Sequence, residues 1–483
     1  MSDETTGTKG LADVRLSRRQ ILQVGLVVPT SAAILAACSP AAIASPSAAP
    51  SSAPSAAASA PAVSASAVAA SPAAAAEDFA GITVNVACNP TNLAHAVAAG
   101  PLWEAKTGGK LVATLVPYAE RALKFAADIV NQSPNFDLYF ASKDFVAQFG
   151  SRLYVPIEQL DLDTTDFVPI TLKQLANNGK TLALPLFADQ EMFIYNQDHW
   201  TAAGLDPKAV PTTWDEMYAL TPKLTALKGG KLEANATPVL LPSTSYWLCY
   251  YNSFNQGFIS DDYTQVMFDN DQGVATWDAI NKGLTSGFYG KAGLNAASDL
   301  DGYLLFNQGL AASEIGIVNG LGQAQSGNAK DFKATIAKTA AAPAVMPGIN
   351  AGTTGSIIVT EGWGVGAFSK NPKAAASFLK FITGPEYQPK MLDEFAGPGT
   401  LLPPSRLSVL SDPAVVAKYP FTKILATQAQ GQLQWPGLPY GGDMDKVFGA
   451  AFSNLAKGTW TPKQANDETV KSVKDLIVKY LTS

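Results

Sequence analysis

The chain has 483 residues and a formal net charge of −6 at pH 7, with 47% hydrophobic and 15% charged residues. This length exceeds what one compact domain usually holds, and the balance of apolar and charged residues is typical of a globular protein. The negative charge, without a basic tract to offset it, argues against nucleic acid or an anionic lipid surface as the partner.

The N-terminus carries the three regions of an export signal in order. Arg18 and Arg19 precede an uncharged stretch over residues 21–37, which ends in Leu-Ala-Ala and Cys38. The arginines lie in a string that resembles a twin-arginine signal, and the end of the stretch resembles the box at which lipoproteins are cleaved and acylated. A membrane-spanning helix is the alternative, but the stretch is near the lower limit of about 17 apolar residues and is broken by a glutamine and a proline. Residues 1–38 are therefore predicted to be a signal peptide that leaves Cys38 lipidated at the outer face of the cytoplasmic membrane.

A segment of low complexity follows. Residues 39–76 are Ala, Ser and Pro apart from one Ile and two Val, and they carry no charge. Such a segment buries too little apolar surface to offset the entropy that folding costs. Residues 39–80 are therefore predicted to be a disordered linker that lets the folded body stand away from the membrane.

Cysteine and histidine are scarce. Besides Cys38 there are only Cys88 and Cys249, which either form a disulfide or remain two buried thiols. His95 and His199 are the only histidines. This excludes a metal site that needs several imidazoles and disfavours a His-based catalytic triad. We predict no metal and no cofactor.

The folded body opens with alternating strand and helix patterns. Strands are predicted over residues 82–86, 111–116 and 136–140, and helices over residues 91–106 and 118–132. This order predicts a parallel sheet covered by helices. Ligands bind beyond the carboxyl ends of such strands, which are followed here by Asn89, by Tyr118 with Glu120, and by Ser142 with Asp144. Polar side chains therefore lie where a ligand cleft is expected.

The most informative stretch is at residues 181–217. It reads TLALPLFADQEMFIYNQD at 181–198, AGLDP at 203–207 and PTTWDEM at 211–217. Thr213 can cap a helix there, with Asp215 and Glu216 well placed in its first turn. The stretch resembles the crossover of the family 1 extracellular solute-binding proteins of ABC importers, which include maltose-binding protein. In that family a strand leaves the first lobe past an acidic or polar site residue.

The resemblance continues to the end of the chain. Further landmarks of the family are matched at residues 306–312, 315–320, 371–385, 399–404 and 446–481. At one of them Asn371 is a good N-cap and Pro372 suits the first helical position. A departure is that Leu321 follows Gly320 where the family often has an aromatic residue, which indicates a smaller or differently shaped ligand.

The resemblance implies an α/β fold with two lobes of the periplasmic-binding-protein type, joined by hinge crossovers, with the ligand cleft between them. Lobe 1 is predicted to comprise residues 81–189 and 361–400, and lobe 2 residues 190–360 and 401–483. A monomer is expected.

Ten residues are predicted to contact the ligand, from their place after strands or from the resemblance. They are Asn89, Tyr118, Glu120, Asp144, Asp189, Glu191, Trp247, Asn319, Trp363 and Trp435. Trp363 is the first choice for stacking on the apolar face of a sugar, because its glycine neighbours allow a close backbone approach. For each tryptophan the alternative is packing in the core or anchoring a loop.

The resemblance implies the lipid-anchored binding component of an ABC importer, which captures a sugar or oligosaccharide and delivers it to permease subunits in the membrane. Two other classes stay open. A secreted glycoside hydrolase would use a pair of carboxylates drawn from Glu120, Asp144, Asp189 and Glu191. A surface sensor or adhesin would present a ligand to a receptor on the same fold.

The acylation box generates a test at Cys38. The Cys38→Ala variant is expected to carry no acyl mass, because it lacks the thiol to which the lipid would be attached. Mass spectrometry of the mature N-termini checks this, with wild-type protein expected to begin at an acylated Cys38. A wild-type chain that keeps Met1 and carries no acyl group would contradict the anchor.

Overall fold

The structure, a computed structural model, describes residues 78–225, 243–289, 299–325, 336, 339–394, 401–431, 435–438 and 440–482. The predicted signal peptide, Cys38 and the linker up to residue 77 lie outside the described residues. Among the helices within the described ranges, none is both long and apolar enough to span a bilayer.

Strands and helices alternate along the first part of the chain and helices dominate the last part. The strands are β1 (Thr83–Cys88), β2 (Lys110–Leu115), β3 (Leu138–Ser142), β4 (Ala176–Asn177), β5 (Lys180–Thr181), β6 (Leu184–Pro185), β7 (Asp189–Gln190), β8 (Met192–Asn196), β9 (Ser313–Gly316), β10 (Ala341–Ala344), β11 (Ile358–Val359) and β12 (Glu361–Val365). The helices are α1 (Pro90–Thr107), α2 (Tyr118–Asn131), α3 (Lys143–Phe149), α4 (Pro169–Gln174), α5 (Gln197–Ala202), α6 (Trp214–Ala219), α7 (Thr221–Thr225), α8 (Thr244–Tyr251), α9 (Asp271–Thr285), α10 (Asp299–Asn307), α11 (Val318–Gln325), α12 (Pro372–Ile382), α13 (Gln388–Glu394), α14 (Leu407–Leu410), α15 (Pro413–Lys418), α16 (Phe421–Gln428), α17 (Gly441–Ala456) and α18 (Pro462–Thr482).

A five-stranded sheet forms the centre of the first lobe, in the order β2-β1-β3-β12-β6. Strand β1 lies parallel to β2 and to β3, as the sequence pattern predicted. Strand β12 enters between β3 and β6 and is antiparallel to both. The first lobe is therefore built from two distant stretches of the chain.

The second lobe has a three-stranded antiparallel sheet in the order β10-β8-β9 and a core rich in aromatic side chains. The short strands β7 and β11 run between the two sheets and pair with each other in antiparallel fashion, Asp189 opposite Val359 and Gln190 opposite Ile358. This arrangement confirms the predicted α/β fold with two lobes and crossing strands.

A buried amide network holds the crossing strands to helix α16. Gln428 donates from Nε2 to Oε1 of Gln190 at 3.1 Å and to the carbonyl of Glu191 at 3.0 Å. Gln190 donates to the carbonyl of Leu425 at 3.1 Å, and the hydroxyl of Ser356 donates to the carbonyl of Glu191 at 2.6 Å. Because these side chains are buried, water does not compete for their hydrogen bonds, and the network holds the crossing strands in a fixed orientation.

Contacts at two lobe boundaries refine the sequence prediction. The ring of Phe79 stacks on Trp103 with 6.1 Å between centroids, so the folded body begins before residue 81. Near the other boundary, the hydroxyl of Ser405 donates to the carbonyl of Pro185 in β6 at 2.8 Å. The chain therefore still contacts the first lobe beyond residue 400.

Trp363, in the centre of β12, is fully buried in the core of the first lobe, which corrects its expected place on the cleft wall. Its Nε1 donates to the carbonyl of Ala87 at 3.0 Å. The glycines beside it serve the sheet, because a Cβ atom on Gly362 would lie 1.9 Å from the carbonyl oxygen of Leu184. The Gly-Trp-Gly pattern therefore reflects close packing of strands and not the approach of a ligand.

The two cysteines of the folded body are two buried thiols, which was the alternative to a disulfide. Cys88 and Cys249 form no disulfide with each other, and both are fully buried in different hydrophobic clusters. Burial raises the pKa of Cys88 to about 12, so the thiol stays protonated and unreactive at neutral pH.

The position of Trp363 generates a prediction about stability. Trp363→Ala is expected to lower the free energy of unfolding by about 3 to 5 kcal/mol, because it opens a large cavity in a closely packed core. Thermal melting of the ligand-free protein measures this loss. The matched control is Trp435→Ala, which removes a partly exposed ring and should melt close to the wild type. Equal melting temperatures for the two variants would contradict the core position of Trp363.

Candidate functional site

A cavity of about 310 Å³ lies at the carboxyl end of β3, beside the crossing strand β11. Its walls come from α2, from the end of β3 with the start of α3, from residues 359–361, and from Gln174 and Trp435. The volume is at the lower end of the range typical of small-molecule sites. The cavity therefore occupies the edge of the sheet where the βαβαβ pattern predicted a ligand.

A carboxyl group is held at the cavity by the end of strand β1. Glu361 is the first residue of β12 and lies opposite Ser142 in the sheet. Its Oε2 accepts a hydrogen bond from Nδ2 of Asn89 at 2.7 Å. The Oδ1 of Asn89 accepts from the amide of Asn92 at 2.6 Å and so caps helix α1. Asn89 therefore joins the helix start to the carboxyl group of the site.

The charge state of Glu361 depends on its surroundings. Burial raises the pKa of Glu361 to about 7, while the hydrogen bond from Asn89 and the positive charge of Arg121 oppose this rise. The negative charge of Asp144 adds to it. The carboxyl group is therefore divided between its neutral and ionised forms near neutral pH.

A buried guanidinium group lines the same cavity. Arg121 projects from α2 and is 2% exposed. Its guanidinium carbon lies 4.3 Å from the ring centroid of Phe140 and 5.5 Å from that of Phe145. These cation–π contacts hold the group beside two aromatic rings that also line the cavity.

Helix α3 and Trp435 meet at the wall of the same cavity. The ammonium group of Lys143 lies 4.2 Å from the ring centroid of Trp435 and 2.9 Å from Oδ1 of Asp144. Nε2 of Gln174 donates at 3.0 Å both to the carbonyl of Trp435 and to that of Ile358 in β11. These contacts fix the Trp435 backbone against the crossover.

The arrangement suits the binding of a polar organic molecule. Arg121 and Lys143 supply hydrogen-bond donors, Glu361 and Asp144 supply acceptors, and aromatic rings supply apolar faces. Of the four carboxylates considered for a glycoside hydrolase, Asp144 lines this cavity and the other three do not. The predicted carboxylates therefore do not form, in this cavity, the pair that a glycoside hydrolase would need.

Three predicted residues come together at the cavity, and three others from the same prediction have different positions. Asn89, Asp144 and Trp435 meet around Glu361 and Lys143, as described above. Glu120 is exposed and forms an ion pair with Lys124 at 2.8 Å. Tyr118 begins α2, but its side chain lies outside the described residues. Asn319 is partly buried in α11, where its Oδ1 accepts from Gln323 at 3.0 Å.

The two acidic residues of the crossover have structural contacts. Asp189 is fully buried, and its Oδ1 accepts from the amides of Val318 at 3.0 Å and Gln190 at 2.9 Å. It thereby satisfies the start of α11, and burial raises its pKa to about 7 against these hydrogen bonds. Glu191 is also buried, and its carbonyl belongs to the amide network at α16. Their contact with a ligand stays a prediction.

Trp247 is corrected in the same way as Trp363. Its side chain is fully buried in the aromatic core of the second lobe, stacked on Tyr251 at 4.6 Å between centroids and packed against Trp277 and Phe448. Helix α8 is buried on all sides, so a ring on it meets other rings and has no face open to a cleft. Trp247 and Trp363 are therefore core residues of the second and first lobe, respectively.

Sequence reasoning missed Glu361, Arg121, Lys143 and Gln174. Each of the first three adjoins a residue that had drawn attention: Glu361 begins the Glu-Gly-Trp-Gly string, Arg121 follows Glu120, and Lys143 precedes Asp144. For Arg121 and Lys143, a charge shortly after a predicted strand was the available signal. Gln174 lies in a short helix with no local pattern that points to a site.

A second cavity, of about 220 Å³, shares Gln174 and Trp435 with the first. Its charged lining residues, Lys173 and Asp261, pair with each other at 2.7 Å, and their side chains are 61% and 83% exposed. Exposed pairs of this kind contribute little to binding or stability. The cavity beside Glu361, with its buried guanidinium group, is therefore the better candidate site.

Comparison with known proteins agrees with this fold. The model of the bacterial extracellular solute-binding protein family matches residues 90–389, more than half of the chain. A probable ABC transporter-binding protein of Deinococcus radiodurans is 22% identical over 422 residues, which cover 84% of this chain and 95% of that protein.

Two solved structures share the fold. The GacH receptor of Streptomyces glaucescens, solved without ligand and with acarbose, has a TM-score of 0.64 and 21% identity, covering 82% of this chain and 98% of that one. The cyclic alpha-maltosyl-1,6-maltose binding protein of Arthrobacter globiformis has a TM-score of 0.68 and 18% identity, with the same coverage of 82% and 98%. Together with the family match over both lobes, these findings establish that the chain belongs to the bacterial extracellular solute-binding protein family.

Proposed function

We propose that the chain is the extracellular, lipid-anchored substrate-binding component of an ABC importer, and that it captures a sugar or oligosaccharide in the cavity beside Glu361. The observation that carries this proposal is the lining of the cavity. The rings of Phe140, Phe145 and Trp435 stand beside charged hydrogen-bonding groups. A sugar has hydroxyl groups at its edge and apolar C–H faces, so it matches both kinds of group.

The names of the structural neighbours support the same class of ligand. The Streptomyces glaucescens receptor was solved with acarbose, and the Arthrobacter globiformis protein is named for a cyclic maltose-derived sugar. At identities near 20% these likenesses support the class of ligand and not a particular sugar.

Capture would proceed by rotation of the lobes about the crossing strands. The cavity lies next to β11, and its walls include α2 and α3 of the first lobe as well as Trp435 from the C-terminal part of the chain. A rotation at β7 and β11 would therefore bring these walls together around a solute while both sheets stay intact.

Delivery to a membrane is the remaining part of the proposal. The signal peptide and Cys38 would hold the protein at the outer face of the cytoplasmic membrane, and the linker would give the lobes reach toward permease subunits. The name of the Deinococcus radiodurans relative supports the ABC importer. In this role the protein binds and releases its solute without covalent chemistry.

The proposed function predicts which solutes stabilise the protein. In a thermal-shift screen over maltose, maltotetraose, D-mannitol, glycine and spermidine, a sugar or polyol is expected to raise the melting temperature, because binding to the folded state adds stability of about 2.7 kcal/mol at 100 times the Kd. The same solute should reduce the radius of gyration in solution scattering as the lobes close. Stabilisation by glycine or spermidine alone would contradict a carbohydrate ligand, and an unchanged radius at saturation would contradict closure.

Trp435 provides the mutational test of the cavity. Trp435→Ala should weaken binding of the stabilising sugar roughly tenfold to a hundredfold, since it removes the stacking surface and its buried area. Titration calorimetry measures the affinity. Trp435→Phe keeps a ring face and is the control that should recover part of it. An unchanged affinity in Trp435→Ala, with normal melting, would place the ligand elsewhere.

A further inference from the structure

We propose that residues 435–438 form a strap that closes the second lobe onto the first, and that Gly437 is the residue that permits this closure. The inference rests on the proposed function, in which rotation of the lobes captures the solute. It adds the contact at which the rotation ends. It also adds a positioning residue that controls affinity although it does not line the cavity beside Glu361.

The strap belongs to the second lobe. Leu438 is buried in the aromatic core of that lobe, and Tyr440, two residues further on, donates from its hydroxyl to the carbonyl of Tyr263 at 3.0 Å. Helix α3, on which the strap lies, belongs to the first lobe, because its Val146 and Phe149 pack in one cluster with side chains of strand β3. A contact between the strap and α3 is therefore a contact between the lobes.

Gly437 lies so close to the start of α3 that no side chain fits between them. A Cβ atom at Gly437 would lie 2.2 Å from the carbonyl oxygen of Lys143 and 3.0 Å from its Cβ. The φ angle of Gly437 is outside the left-handed region, so the approach of Lys143, and not backbone strain, requires glycine here. Because a carbon and an oxygen in contact keep about 3.3 to 3.6 Å apart, any side chain would hold the strap about 1 Å away from α3.

Two contacts of Trp435 depend on this close approach. Its ring lies 4.2 Å from the ammonium group of Lys143, and its carbonyl accepts from Nε2 of Gln174 at 3.0 Å. The same Nε2 of Gln174 donates to a carbonyl of the crossing strand β11, so the docked strap is also tied to the crossover. Since Trp435 and Lys143 line the cavity beside Glu361, Gly437 acts on the site through these two neighbours.

A strap held away from α3 should act mainly on the release of the solute. Entry precedes closure, so the open cleft would admit the solute at its ordinary rate. The closed state that retains the solute would be less populated, and the apparent affinity falls in proportion to that population. Gly437→Ala should therefore raise the Kd about tenfold, through faster dissociation and not through slower association.

The test compares the wild type with Gly437→Ala, Gly437→Val and the matched control Gly442→Ala. Gly442, in the first turn of α17, is exposed, and a Cβ atom there would meet no atom within 4 Å. The same substitution at Gly442 therefore leaves the strap docked.

Three measurements report on the strap. Stopped-flow tryptophan fluorescence gives the association and dissociation rates of maltose, maltotetraose and D-mannitol. Solution scattering gives the radius of gyration with and without each probe. Hydrogen exchange of residues 143–149 and 435–438, followed by mass spectrometry without any added solute, reports the docking of the strap directly.

In the wild type and in Gly442→Ala, a probe that binds should contract the protein and dissociate slowly. Gly437→Ala should keep its association rate within about twofold, dissociate about tenfold faster and contract less. Gly437→Val should show a larger effect, because its side chain is bulkier. Amides in residues 143–149 and 435–438 should exchange faster in both Gly437 variants than in the wild type, and all four proteins should melt at similar temperatures.

The outcomes separate this inference from the proposed function. Equal dissociation rates and equal contraction in the wild type and Gly437→Ala would overturn the strap and leave the solute-binding role intact. An equal effect of Gly442→Ala would overturn it too, and so would a melting loss in Gly437→Ala as large as that of Trp363→Ala, which would place the contact in the core. If no probe binds the wild type, the proposed function fails, and hydrogen exchange alone decides: faster exchange in Gly437→Ala supports the strap, and equal exchange overturns it.

Discussion

The insertion of β12 between β3 and β6 is the constraint on which the rest of the molecule depends. It completes the sheet of the first lobe with a late stretch of chain, and Trp363 at its centre fills the core. Gly362, just before Trp363, lets β6 approach to a distance that a Cβ atom would prevent. Because Glu361 begins this strand, the pairing that builds the core also fixes the carboxyl group of the site opposite Ser142.

The same insertion requires the chain to cross between the lobes, and β7 and β11 are the strands that do so. Each has only two residues, so a rotation of the lobes has to change few backbone angles and few hydrogen bonds. Gln190 and Gln428 tie these strands to α16 through buried amides.

Local pattern was sufficient for the three parallel strands of the first lobe. The βαβαβ order predicted the parallel strands, and it placed Asn89 and Asp144 at the edge of the sheet where the cavity beside Glu361 lies, because strand ends converge there. Trp363 was placed wrongly, since glycines beside a tryptophan have the same appearance in sequence whether a strand or a ligand approaches them. Glu361 was missed because its partner Asn89 is far away in the chain, and only the register of β12 brings them together.

The crossover region contains two carboxyl groups, Asp189 and Glu361, whose pKa values burial raises to about 7. A raised pKa in the folded state stabilises the fold below the ordinary pKa of a carboxyl group, and this contribution is lost as the pH rises through 7. For Asp189 the amides of Val318 and Gln190 partly offset the cost of ionisation within the protein itself. Glu361 has Asn89 and the charge of Arg121, and it faces the cavity.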